Sequence, residues 1–83
     1  MKVILRFIEN QKVVKKYIYN QEDIYIYGMN CQIPRNEDLA NFYTLENNLD
    51  LIITDDNEKE LCYLKNIYIS FGGNLIDIGE KNT

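Results

Sequence analysis

The chain has 83 residues, of which 46% are apolar and 27% charged, with a formal net charge of −4 and no histidine. That length holds one domain, 1–83, and too little core for a second, while the apolar content excludes a disordered chain. Without histidine there is no Ser-His or Cys-His nucleophile and no imidazole metal ligand.

Ile, Val, Leu and Tyr dominate the apolar set and Ala40 is the single alanine. Ile, Val and Tyr suit a pleated, half-buried surface, and the best helix former is nearly missing. The composition predicts an α+β fold that is mostly antiparallel β, a meander or small sheet of six or seven short strands with at most one short helix. Abundant Asn with scarce Ala and Gly also fits an AT-rich coding bias, as in low-GC bacteria and their mobile elements. No run approaches the roughly 20 apolar residues of a membrane span. The apolar start is interrupted by Arg6 and Glu9, so no secretory leader is expected. The expected location is the cytoplasm, where Cys31 and Cys62 stay reduced and act as small buried apolar residues.

The charge is unevenly placed. Six bases face three acids through residue 35, and three bases face ten acids beyond it, a net +3 against a net −7. Such asymmetry steers a charged partner.

"VILRFIE-NQ-KVVKKYIY" opens the chain as a β-hairpin turning at Asn10-Gln11. If Glu9 faces Lys12, then Phe7 faces Val14 and Val3 faces Ile18, which places Arg6 opposite Lys15. "YIYNQEDIYIYG" then carries Tyr-Ile-Tyr twice. With a loop of Gln21, Glu22 and Asp23, the second triplet becomes a third strand beside the first. Tyr17, Tyr19, Tyr25 and Tyr27 would then share one face, and Ile18, Ile24 and Ile26 would extend the aliphatic face of Val3, Leu5 and Phe7. "MNCQIP" reads as a connection held extended before Pro34.

Asn36 is a good N-cap, and Glu37, Asp38, Leu39, Phe42 and Tyr43 follow with helical spacing, so a helix is expected over about 36–46, the rival reading being a hairpin of "NFYTL" and "LDLII" about "ENN". "LDLIIT" and "ELCYL" flank the polar turn "DDNEK", and "NIYISF" and "NLIDIG" flank Gly72-Gly73. The tail Lys81, Asn82 and Thr83 is expected to fray.

Catalytic, cofactor and metal residues are not expected. "DDNEKE" lacks the glycine a calcium loop needs at its sixth place, where Glu60 stands, and "FGGN" lacks the Lys-Ser/Thr of a phosphate loop. What is left is surface. The tyrosines Tyr17, Tyr19, Tyr25 and Tyr27 offer rigid amphipathic contact area. The acidic segment Asp50, Asp55, Asp56, Glu58 and Glu60 suits a basic groove on a partner. The sequence therefore reads as a small non-catalytic protein that binds another macromolecule. Its expected partner is a protein with a basic surface, and the sharper version is an acidic inhibitor from a phage or mobile element directed at a nucleic-acid-binding host protein, such as a restriction or CRISPR effector. Direct nucleic-acid binding is disfavoured by the acids. Two alternatives remain open: a single-strand-binding module using a Tyr/Lys face, and a self-associating component, including a homodimer through an open sheet edge or the tyrosine face.

Overall fold

The computed structural model describes residues 1–81. Eight strands form two four-stranded antiparallel sheets packed face to face. The strands are β1 (Lys2–Glu9), β2 (Lys12–Asn20), β3 (Tyr25–Tyr27), β4 (Asn30–Pro34), β5 (Asp50–Asp55), β6 (Glu60–Leu64), β7 (Ile67–Gly72) and β8 (Leu75–Glu80). One sheet has the order β2-β1-β5-β6 and the other β3-β4-β8-β7. A six-residue helix, α1 (Glu37–Phe42), and a 3-10 turn over Gln21–Asp23 complete the fold. The antiparallel β character expected from composition holds, with eight strands in place of six or seven.

The alternation of β1 drives the packing. Val3, Leu5 and Phe7 are fully buried on the inner face, facing the other sheet, together with Leu51 and Ile53 of β5 and Cys62 and Leu64 of β6. Cys31, Ile33, Ile67, Ile69, Ile76 and Ile78 complete the core from the second sheet.

The first hairpin turns at Asn10-Gln11 as expected, with both residues at positive φ (54° and 67°), the backbone of a type I′ turn. Glu9 pairs with Lys12 and Ile8 with Val13. A bulge then intervenes, so that Phe7 pairs with Lys15, Leu5 with Tyr17 and Val3 with Tyr19. The expected Phe7–Val14 and Val3–Ile18 pairings are thus corrected by one residue. In a period-two strand that slip exchanges faces: Tyr17 and Tyr19 turn inward and Ile18 turns outward, 61% exposed. Arg6 faces Lys16 rather than Lys15, and its guanidinium donates to Thr54 Oγ1 at 2.9 Å.

The second Tyr-Ile-Tyr does not lie beside the first. The 3-10 turn carries the chain from one sheet to the other, and β3 pairs with β4, not β2. "MNCQIP" is accordingly a strand rather than a connection: β4 runs through it, joined to β3 across Gly28-Met29 with Gly28 at φ 59°. Pro34 sits at the strand's last residue, where its missing N–H costs least.

α1 starts where expected. Asn36 Oδ1 accepts the Leu39 N–H at 3.1 Å, which satisfies one of the helix's orphan donors. The helix ends at Phe42 rather than Glu46, because Tyr43 leaves it with an extended backbone. The Tyr43 side chain is buried and its hydroxyl accepts the Ile69 N–H at 3.4 Å, which covers the outer edge of β7. Lys81 does not fray: its N–H donates to Asn66 O and its ammonium to Asn47 O. Asn82 and Thr83 lie outside the described residues.

The two halves of the chain share one plan. β1–β2 and β5–β6 are hairpins of the first sheet, and β3–β4 and β7–β8 are hairpins of the second, so both strand orders read the same when the halves are exchanged. The local details follow suit. Each first-sheet hairpin carries a bulge, and each crossing between sheets begins with a backbone bond to the residue that opens the half: Gln21 N–H to Met1 O and Ile67 N–H to Leu49 O, both 2.8 Å.

Candidate binding surfaces

The sequence-derived site residues fall in four places. Tyr17 and Tyr19 belong to the interior margin of the first sheet. Tyr17 stacks edge-on against Phe7, with ring centroids 5.9 Å apart, and its hydroxyl donates to Asp38 Oδ2 at 2.5 Å. Burial and the neighbouring carboxylate push the Tyr17 phenol well above its ordinary range. The same bond and Lys15, 3.3 Å from Asp38, hold that carboxyl below the usual carboxylate range. Tyr19 donates to Pro34 O at 3.2 Å, and burial raises its phenol. Both hydroxyls fasten β2 to the segment around α1.

Tyr25 and Tyr27 stand on the outer face of the second sheet, stacked on each other with centroids 5.0 Å apart. Register places Gln32, Asp77 and Ser70 beside Tyr25, and Asn30, Gly79 and Tyr68 beside Tyr27. Gln32 Nε2 donates to Asp77 Oδ1 at 2.9 Å. The four tyrosines therefore do not form a common face. Lys15 and Arg6 both lie on the first sheet, away from Tyr25 and Tyr27.

The acidic segment divides as well. Asp55 is buried, and its carboxylate accepts the N–H groups of Asn57 at 2.8 Å and Lys59 at 2.9 Å, which builds the β5–β6 connection. Asp50 accepts the Asn66 N–H at 2.9 Å. Asp56, Glu58 and Glu60 remain exposed.

The sandwich is open beside this connection. β3 has only three residues, against eight in β1, so the second sheet leaves one corner of the first uncovered. A cleft of about 300 Å³ lies there, lined by Val3 of β1, Ile53 of β5, Leu61 of β6, Ile24, Tyr25 and Ile26 at β3, and Gln21. Leu61 reaches it because it is the extra residue of the β5–β6 bulge: Ile53 pairs with Cys62 and Thr54 with Glu60. The lining residues are aliphatic apart from Gln21 and Tyr25. Exposed acids belong to the same segments: Glu22 and Asp23 follow Gln21, Glu60 precedes Leu61, and Asp56 and Glu58 share its connection. Of the residues named from the sequence, Tyr25 lines the cleft, and Asp56, Glu58 and Glu60 belong to the connection that leads into Leu61. Sequence reading missed Val3, Ile24, Ile26, Ile53 and Leu61 as a site, because a cleft between two sheets has no linear spacing. The brevity of the "YIY" run before Gly28 was the available signal.

The cysteines offer no reactive group. Both are free and buried, and burial, then Cys62 and Asp77, push the Cys31 thiol up to about 12, so it stays a protonated thiol rather than a nucleophilic thiolate. Burial also raises Cys62. Among the described residues no three His, Cys, Asp or Glu side chains converge on a point that could hold a metal ion. Among the same residues no helix is long and apolar enough to cross a membrane.

Comparison with known protein families, curated proteins and solved structures gives no match.

Proposed function

We propose that this chain is a non-catalytic binding protein that receives a basic segment of a protein partner and anchors one of that segment's apolar side chains in the cleft between β3 and β6. The observation that carries this reading is the cleft itself: an aliphatic pocket with Glu22, Asp23, Asp56, Glu58 and Glu60 in the segments around it. An apolar hole supplies affinity through buried area, and the surrounding carboxylates select a cationic neighbour and speed its arrival. Lys2 and Lys59 are the cations in the adjoining segments, so the local excess is acidic.

The sharper form of the proposal is an intracellular inhibitor encoded by a phage or mobile element, which occupies a basic groove that otherwise holds nucleic acid. Short length, net charge of −4 and the absence of histidine support it. An acidic rim repels phosphates, so competition for the groove does not require contact with nucleic acid.

Affinity capture from a low-GC bacterial lysate, with nuclease present, tests the reading. The expected result is one stoichiometric protein that the native chain retains, and that is lost both on Leu61→Asp and on joint neutralisation of Glu22, Asp23, Asp56, Glu58 and Glu60 to their amides. Retention of nucleic acid alone, or of a protein that both variants hold equally well, overturns it.

A further inference from the structure

The outer face of the first sheet carries an unusual combination of groups. Register sets them in three rows across β2-β1-β5-β6: Ile18, Ile4, Thr54 and Glu60; Lys16, Arg6, Ile52 and Tyr63; and Val13, Ile8 and Asp50. Ile18, Val13 and Tyr63 are 61%, 53% and 40% exposed, and Ile4, Ile8 and Ile52 are half-buried. Neighbouring aliphatics left open on this scale mark a contact surface rather than scattered exposure. In the middle row Arg6 and Lys16 are directly opposed, which is unfavourable unless an acid lies near. Among the described residues neither is paired with a carboxylate. The cations Lys2, Arg6 and Lys16 occupy the β2–β1 side of the face, whereas Asp50 and Glu60 occupy the β5–β6 side. Lys65, lying over the Tyr63 ring, and Lys59, in the β5–β6 connection, are cations on the acidic side.

A face that is basic on one half and acidic on the other, with apolar groups on both, is complementary to itself in charge. We infer that the chain forms a two-fold dimer through the outer face of its first sheet, with a second copy as the occupant. A dyad lying between the two faces, along the strand direction, sets β2 over the second copy's β6 and β1 over its β5. Lys16 then lies over the second copy's Tyr63 and beside its Glu60, and Arg6 lies over Ile52 and beside Asp50. Each cation of the opposed pair gains the carboxylate it lacks within the monomer, while Ile4 lies over the second copy's Thr54, Ile18 over its Glu60 and Ile8 over its Asp50, and Val13 stands beyond the paired part of β6. Both contacts occur twice, as an isologous interface requires. Four strands about 4.8 Å apart and about five residues at about 3.3 Å give a flat footprint of roughly 300 Å² per copy. A standard interface buries about 800 Å² per partner, so the dimer is a weak and reversible one. The cleft between β3 and β6 opens at the margin between the sheets rather than on this face, and the two sites share Glu60, which precedes the cleft residue Leu61.

Sedimentation equilibrium at low ionic strength decides the matter, using the native chain, Lys16→Glu and Glu60→Lys, with circular dichroism confirming that each variant is folded. The native chain is expected to sediment as a concentration-dependent monomer–dimer mixture that weakens with added salt. Each variant is expected to lose at least tenfold in association. Their equimolar mixture should recover it. In the mixed dimer the carboxylate introduced at position 16 of one chain meets the ammonium introduced at position 60 of the other, and the second contact keeps its native Lys16 and Glu60. A native chain that stays monomeric at the highest soluble concentration overturns the inference. So does a dimer indifferent to both substitutions, or a mixture that associates no better than either variant alone.

Discussion

Much of the negative charge in this molecule has an internal use. Glu9, Asp50, Asp55 and Glu80 each accept backbone N–H groups, from Asn48, Asn66, Asn57 with Lys59, and Lys65 respectively. A carboxylate closing a turn in this way contributes about 1.5–3 kcal/mol when the bond is charge-assisted and sheltered. Asp55 is the most sheltered of the four, and Asp55→Ala is expected to cost about 2 kcal/mol in urea unfolding, whereas Asp55→Asn, which keeps an acceptor oxygen, costs less. From sequence the whole run from Asp50 to Glu60 looked like one solvated or partner-facing strip. Type and spacing do not distinguish a carboxylate bonded to its own turn from one left to the solvent. A second residue-scale expectation concerns alkali. The Cys31 thiol ionises near 9 when unfolded and near 12 in the folded chain, so the unfolded chain releases that proton first as pH rises. The native state binds more protons between those values, and stability therefore falls from about pH 9 towards pH 12, by at most about 1.4 kcal/mol per pH unit for one group. Tyr17, also raised, extends the decline above its ordinary value. Unfolding at stepped pH should show a shallower alkaline slope in Cys31→Ala than in the native chain, whatever the change in absolute stability; an identical slope would count against a buried thiol.

At the scale of elements, the features legible in the sequence were those with local chemistry. The Asn10-Gln11 turn, the Asn36 cap, the β5–β6 hairpin and the inward alternation of Val3, Leu5 and Phe7 all stand where turn, cap and period-two patterns put them. The β7–β8 hairpin is also present, displaced by one residue so that Gly73, at φ 63°, opens the loop and Gly72 pairs with Leu75. The bulge in the first hairpin was not legible, since nothing in "KVVKKY" marks one valine as unpaired, and that single residue decides whether tyrosines or isoleucine face the core. The change of sheet after Asn20 was equally hidden. A polar tripeptide serves a hairpin or a crossing equally well, and the choice is made by packing of Ile24 and Ile26 against the core. The first turn also leaves a margin for improvement. Gln11 adopts φ 67°, a conformation that costs a residue with a Cβ about 1–2 kcal/mol relative to glycine. Gln11→Gly should raise stability by about 1 kcal/mol, readable as a shift of the urea midpoint at constant slope; a loss of stability would mean that the Gln11 side chain makes a contact of its own.

On the scale of the whole molecule, charge and apolar surface are distributed unevenly over the two sheets. The long edge strand β2 carries Lys12, Lys15 and Lys16, which discourage uncontrolled strand addition, and the β7 edge is covered by the segment from Tyr43 to Leu49. Sequence charge asymmetry between residues 1–35 and the remainder has a spatial counterpart. Each half of the chain supplies one hairpin to each sheet and the two hairpins lie side by side, so on the outer face of the first sheet the bases of β2–β1 stand beside the acids of β5–β6.

The exchangeable plan of the two halves bears on how the chain could be cut and on how it could have arisen. No sheet is completed within one half: β1 needs β5, and β4 needs β8. The polypeptide is in effect a pair of four-strand protomers joined by a tether, and the stretch from Tyr43 to Leu49 serves mainly to raise the concentration of one protomer in the presence of the other. At about 40 residues apiece the protomers are too small to fold unaided. Peptides 1–43 and 44–83 should each be unstructured in isolation and regain the sheet spectrum when mixed. Such complementation is what descent from a shorter, self-pairing ancestor by duplication and fusion would leave behind.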